Sequence, residues 1–133
     1  MAKVGVIGAG SWGIALAKLL HTNGNEVTVW SIVDEEIQML REKHEHVDKL
    51  PGVKLSTDIV FTTDLQQTVE EKAVLVLAVP SVFTRSTAKS MAGFVREGQI
   101  IVCVAKGIEE KTLMTITDVV KQEIPQADVA VMC

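Results

Sequence analysis

Gly8-Ala9-Gly10-Ser11-Trp12-Gly13 spaces three glycines so that bare backbone can be brought against an anion. The run lies between apolar Lys3-Val4-Gly5-Val6-Ile7 and Ile14-Ala15-Leu16-Ala17-Lys18-Leu19-Leu20, the setting of a strand, a turn and a helix. In that setting Gly8 permits the tight turn, Gly10 removes a side chain where backbone must approach a pyrophosphate, and Gly13 lets the helix lie close on the sheet. Ala17, one helical turn on, keeps that face small. The unpaired amides at the helix start and the positive end of its dipole then form an anion site. The chemistry implied is dinucleotide binding; the competing reading is a tight strand-to-helix turn with no ligand. A second candidate is Lys106, which follows the apolar run Ile100 to Ala105 and precedes Gly107. It should emerge at the sheet edge where ligands of open α/β folds bind, its ammonium facing anions. The alternative is a solvated lysine paired with Glu109 or Glu110.

These groups need a scaffold, and strand and helix signals alternate along the whole chain. That pattern predicts an α/β fold of the Rossmann type, doubly wound, with a mainly parallel sheet and flanking helices. A first helix stops at Asn23-Gly24-Asn25, and Glu26 to Ser31 reads as the second strand. Asp34 is placed to cap a helix carrying Ile37 and Leu40 inward to about Lys43, ahead of a loop ending in Leu50-Pro51-Gly52. Ile59 to Thr62 is a short strand, and Asp64 caps a brief helix through Val69. Ala73 to Val79, apolar on both faces, is the strongest strand and suits the centre of a parallel sheet. Pro80 stops it, and Ser81 starts a helix to about Phe94. Ile100 to Ala105 forms the next strand, Thr112 to about Glu123 a helix with Ile116, Val119 and Val120 on one face, and Val129 to Met132 the last strand. No repeat, linker or low-complexity segment interrupts the series.

Composition narrows the function classes. With 133 residues and 47% hydrophobic content the chain reads as one domain, large enough to bury a core without staples. A net charge of −4, with lysines and arginines scattered among acids, argues against a general nucleic-acid or anionic-membrane binder. No apolar stretch approaches the roughly 20 residues of a membrane span, and Met1-Ala2-Lys3 runs straight into a strand, so a cytoplasmic location is expected. Cys103 and Cys133 are too few and too badly placed for a disulfide framework or a metal clip, and read as reduced thiols. His21, His44 and His46 lack partners at zinc spacing; they read as solvated surface groups, and no metal is assigned.

Several segments together resemble NAD(P)-dependent glycerol-3-phosphate dehydrogenase. They are the glycine loop with its Ser11-Trp12, Val27-Thr28-Val29-Trp30, Leu50-Pro51-Gly52-Val53-Lys54-Leu55, Ala78-Val79-Pro80-Ser81 and Ala105-Lys106-Gly107-Ile108-Glu109. The resemblance spans the chain and implies the N-terminal half of an enzyme that interconverts dihydroxyacetone phosphate and glycerol 3-phosphate. The helical C-terminal substrate domain of that family would lie beyond residues 1–133. Carried over by position, Ser11 and Trp12 contact NAD or NADP from the glycine loop, Phe83 approaches from the fourth-strand side, and Lys106 faces both cofactor and substrate. Taken as residues alone, Trp12 could be a cap packed on the helix start and Phe83 a core aromatic. The family's catalytic lysine falls beyond Cys133, so no catalytic acid or base is assigned in this chain. A homodimer is compatible with the resemblance and is not required by it.

Cofactor choice turns on the end of the second strand, where NAD enzymes commonly place Asp or Glu on the ribose and NADP enzymes offer Arg to the extra phosphate. Trp30-Ser31-Ile32-Val33 offers neither. Many bacterial members of the family carry a basic residue near the position of Ile32, and its lack here argues for NAD(H) binding at least as well as NADP(H). Ile32 can pack on the adenine; Asp34 could serve the ribose, although its acid-rich run suits helix capping and dipole complementation. Two other functions share parts of the pattern. The cofactor domain of a hydroxy-acid dehydrogenase would share the first half of the chain but not Lys106-Gly107-Ile108-Glu109, and a stand-alone NAD(H)-sensing module would need no second domain.

Overall fold

The computed structural model describes residues 2–132 except 105 and 106. Six strands form one sheet: β1 (Lys3–Ile7), β2 (Glu26–Trp30), β3 (Val60–Thr62), β4 (Val74–Leu77), β5 (Ile100–Cys103) and β6 (Asp128–Val131). Every pairing is parallel, and the order is β3-β2-β1-β4-β5-β6. The order reverses between β1 and β4, so connections leave these neighbours in opposite directions and open a crevice at their carboxyl ends. The expected Rossmann-type fold is therefore the observed one.

Side-chain alternation along the strands divides the core between the two faces. Val4, Val6, Val27, Val29 and Val76 join Ile14 and Ala17 of α1 (Ser11–Thr22) and Ile37 and Leu40 of α2 (Asp34–Lys43) in one cluster. Ile7, Leu75, Leu77, Ile101 and Cys103 face the other way, onto Val69, Ala88, Met91 and Val120. Those four residues lie on α3 (Leu65–Val69), α4 (Thr84–Ala92) and α5 (Ile116–Glu123). Strands apolar on both sides are what a sheet covered on both faces demands.

The elements depart from the sequence reading mainly at their ends. The stretch from Ser81 is not one helix: Ser81–Phe83 form a 3-10 turn, with the Phe83 amide donating to the Pro80 carbonyl at 2.9 Å, and α4 begins at Thr84. Thr112 does not start α5. Leu113 takes a left-handed backbone, and the helix starts after Thr115, whose hydroxyl accepts from the Asp118 amide. Asp34 is not the cap of α2 either; Val33 holds that position without a side-chain cap, and Asp34, Glu35 and Glu36 form the acidic first turn. Asp64 does cap α3, accepting from the Gln67 amide at 3.2 Å.

The histidines also differ from expectation. His46 is only 2% exposed, and His44 ends α2 in a left-handed conformation, its amide donating to the Leu40 carbonyl at 2.9 Å. A solvated surface does not describe His46: it is a buried polar group with partners in the cleft described next.

Candidate cofactor site

The carboxyl ends of β1, β2 and β4 open into a cleft of about 630 Å³. Its floor is the glycine loop. Gly8 has φ +120°, and a Cβ there would lie 2.7 Å from the Ala78 carbonyl oxygen, so both its conformation and its neighbour require glycine. A Cβ on Gly13 would sit 2.2 Å from the Gly8 carbonyl oxygen, which explains how α1 starts so close to the end of β1. Gly10 behaves differently. Its backbone is extended, and a Cβ there would meet nothing within 4 Å. It faces open space at the mouth of α1.

That helix start has no side-chain cap and no acid in its first turn. Its first amides therefore keep unspent donor capacity, aligned with the positive end of the helix dipole. Such an arrangement holds an anion through backbone alone, and the open space at Gly10 admits one. The residues present thus fit a pyrophosphate-containing cofactor.

The other expected residues divide by what they do. Trp12, Ile32 and Phe83 all line the cleft. They are 71%, 80% and 57% exposed, so Phe83 is not a core residue and Trp12 is not packed away as a helix cap. At a cleft mouth Trp12 and Phe83 offer flat aromatic faces for stacking, and Ile32 an apolar contact. Ser11 also lines the cleft, but its hydroxyl donates to the Lys49 carbonyl at 2.9 Å. It fastens a distant loop to the glycine turn. Lys106 lies outside the described residues; Gly107, beside it, takes φ +121°.

Four polar residues that the sequence reading did not assign to the site converge at the end of β2. Glu36 lines the cleft and accepts from the Ser31 hydroxyl at 2.6 Å, from His46 Nε2 at 2.7 Å and from Lys49 Nζ at 3.2 Å. Burial works to raise the Glu36 pKa, but the bonds from His46, Ser31 and Lys49, with the Lys49 charge, outweigh it and hold it below the usual carboxylate value. His46 Nδ1 accepts the Lys49 amide at 3.2 Å, so the neutral imidazole carries its proton on Nε2 and donates it to Glu36. An acid therefore does reach the cleft at the carboxyl end of β2, from the first turn of α2 rather than from the strand. Asp34 does not line the cleft. The spacing Ser31 to Glu36 was the available signal for the acid; Lys49 arrives through a long loop that no local pattern places.

On the far side, Thr87, Ser86 and Pro80 complete the wall. The neighbouring Arg85 forks onto Glu109 with two bonds of 2.8 Å and reaches Glu123 at 2.6 Å. This ties the start of α4 to α5 and to the loop after β5. The guanidinium and the Thr112 hydroxyl depress the Glu109 pKa to about 2.

Among known proteins, the family model described as the NAD-dependent glycerol-3-phosphate dehydrogenase N-terminus matches residues 3–133. A glycerol-3-phosphate dehydrogenase (NAD(P)+) of Agathobacter rectalis is 70% identical over all 133 residues, which cover 40% of that protein. A second, from Lactobacillus delbrueckii subsp. bulgaricus, is 48% identical over 93% of this chain and 36% of its own length. The crystal structure of glycerol-3-phosphate dehydrogenase from Coxiella burnetii superposes with a TM-score of 0.91 at 25% identity, over 98% of this chain and 40% of that one. Octopine dehydrogenase in complex with NADH and agmatine, at 20% identity and TM-score 0.72 over 97% of this chain and 34% of that one, shares the fold alone. The chain spans about 40% of the length of these curated relatives. With the glycine cradle, the Rossmann topology and the match over residues 3–133 in agreement, the chain belongs to the NAD-dependent glycerol-3-phosphate dehydrogenase family, of which it is the N-terminal part.

Proposed function

We propose that this chain binds NAD(H) or NADP(H) in the cleft, as the cofactor half of a longer enzyme that interconverts dihydroxyacetone phosphate and glycerol 3-phosphate. The observation that carries the reading is the uncapped start of α1 facing open space at Gly10. Its amides would hold the pyrophosphate, with Gly8 and Gly13 keeping the turn tight beneath it. Trp12, Phe83 and Ile32 would flank the cofactor's rings and exclude water from them, with Ile32 at the adenine. When bound, the nicotinamide supplies or accepts the hydride.

Lys106, next to Gly107 at the end of the β5 connection, is proposed to present its ammonium to cofactor and substrate. A cation there would stabilise charge developing on the carbonyl oxygen and attract the substrate phosphate. No residue of this chain is proposed as the catalytic acid or base. That role and the second wall around the substrate belong to the proposed helical C-terminal domain. The resemblance of Lys106-Gly107-Ile108-Glu109 and the family match favour this substrate class over hydroxy acids. The reading places the enzyme in the cytoplasm. Among the described residues no helix is long and apolar enough to cross a membrane.

Titrating the cofactor into folded Gly10→Val tests the reading. The new side chain occupies the pyrophosphate path, and binding should be lost while the circular dichroism and melting profile persist. Unchanged affinity would overturn it.

A further inference from the structure

We propose that the Glu36–Lys49 ion pair sets the choice between NAD(H) and NADP(H), with Lys49 exchanging from Glu36 to the 2′-phosphate when the larger cofactor enters. The inference rests on the cofactor reading above and extends it to a pair of residues from different parts of the chain. The end of β2 is where a dinucleotide's adenosine ribose meets the protein. There Ser31 is buried while Ile32 and Val33 are exposed and uncharged, so the strand itself offers nothing to tell a phosphate from a hydroxyl. The charge comes from α2 and from the loop that follows it.

Lys49 is the only cationic side chain that lines the cleft among the described residues. Its backbone is fixed on both sides: the amide donates to His46 Nδ1 at 3.2 Å, and the carbonyl accepts from Ser11 Oγ at 2.9 Å. The root of the side chain is thus pinned to the glycine loop. Its ammonium reaches Glu36 Oε2 at 3.2 Å, and the side chain remains 51% exposed. The lysine is the open end of the pair, against a carboxylate only 12% exposed, so the ammonium can swing to another anion without becoming a buried, unpaired cation.

Glu36 can let the lysine go. Ser31 Oγ at 2.6 Å and His46 Nε2 at 2.7 Å continue to hold the two carboxylate oxygens, so the exchange strands no buried acceptor. The ammonium meets a dianion in place of a monoanion, which favours the exchange. The Glu36 carboxylate, then without its counter-ion, repels the same phosphate, which opposes it. The two effects balance against each other, and a site so built admits both cofactors. Removing either member should tip it in a known direction.

The experiment measures NADH and NADPH affinity by nicotinamide fluorescence, at low and raised salt, in the full-length protein. For Lys49→Met the ratio of NADPH to NADH affinity should fall about tenfold, and the salt sensitivity of NADPH binding should fall with it. For Glu36→Gln, which keeps an oxygen acceptor, the ratio should rise several-fold. Lys49→Arg, retaining the charge, should keep NADPH binding close to that of the parent, which separates charge from any effect on folding. Ratios unchanged in both Lys49→Met and Glu36→Gln, or both nucleotides weakened equally, would overturn the inference while leaving the cofactor reading in place. Failure of the parent protein to bind either nucleotide would instead overturn the cofactor reading itself.

Discussion

Side chains added at Gly10 and at Gly13 should have opposite consequences, though the two residues stand three apart. Valine at Gly10 enters empty space on an extended backbone. Its stability cost should stay within about 1 kcal/mol, the usual range for changing a helix cap, and its effect should fall on the ligand. Valine at Gly13 drives a Cβ into the Gly8 carbonyl, and the backbone must move. A loss of about 3 kcal/mol is expected, visible as a lowered midpoint in urea whether or not cofactor is present. The same contrast of neighbours tests Lys106. In the full-length enzyme Lys106→Ala should cut kcat/KM for dihydroxyacetone phosphate at least about a hundredfold, the range seen when one charge-stabilising donor is removed. Lys111→Ala, in the same loop region, should change it little. Equal, small effects of both would return Lys106 to the role of a solvated loop lysine.

Between elements, the Arg85 fork is the joint whose pH behaviour can be written down. Glu109 sits at about 2 in the folded protein against an ordinary 4.5. A carboxyl with a depressed folded pKa contributes stability that is fully present above 4.5 and is lost as pH falls through about 2. The gap in melting temperature between the parent and Glu109→Gln should therefore narrow over that window, and a constant gap would show that the fork contributes no such pH-linked stability. Elements were legible where one local signal sufficed. The central strand Val74–Leu77 announced itself by apolar residues on both faces, and Asp64 caps α3 as its position before Leu65 suggests. Ends were lost where a tertiary bond decided them. Ile108 bridges to Thr115, and the Glu109 amide donates to the Met114 carbonyl, a small loop that delays α5 beyond Thr112. In the cleft, the turn at Gly8 and the close helix at Gly13 were legible because these are backbone roles. Glu36 was read as dipole complementation, and His46 as surface, because what engages them is a loop folded back from Lys49. Gly5 carried no local signal either: a Cβ there would lie 2.2 Å from the Thr68 carbonyl, so it is α3 that dictates glycine in β1.

For the whole molecule, the proposal assigns the cofactor to this chain and the acid–base chemistry to a further domain. Highly purified chain of residues 1–133 should bind the cofactor yet show no reduction of dihydroxyacetone phosphate above background, assayed by loss of NADH absorbance. Measurable turnover would place the missing acid within this chain. The parallel sheet carries a further consequence, in time rather than in place. β1 pairs with β2 on one side and with β4 on the other, Val4 lying opposite both Val27 and Val74. The first pairing closes a short stretch of chain; the second must wait for everything between β2 and β4 to be gathered in, at a larger entropy of loop closure. The crevice proposed for the cofactor lies at this late seam. A chain emerging in order would pair β1 with β2 early, yet the proposed site would stay open on one side until β4 docks and Ala78 closes over Gly8.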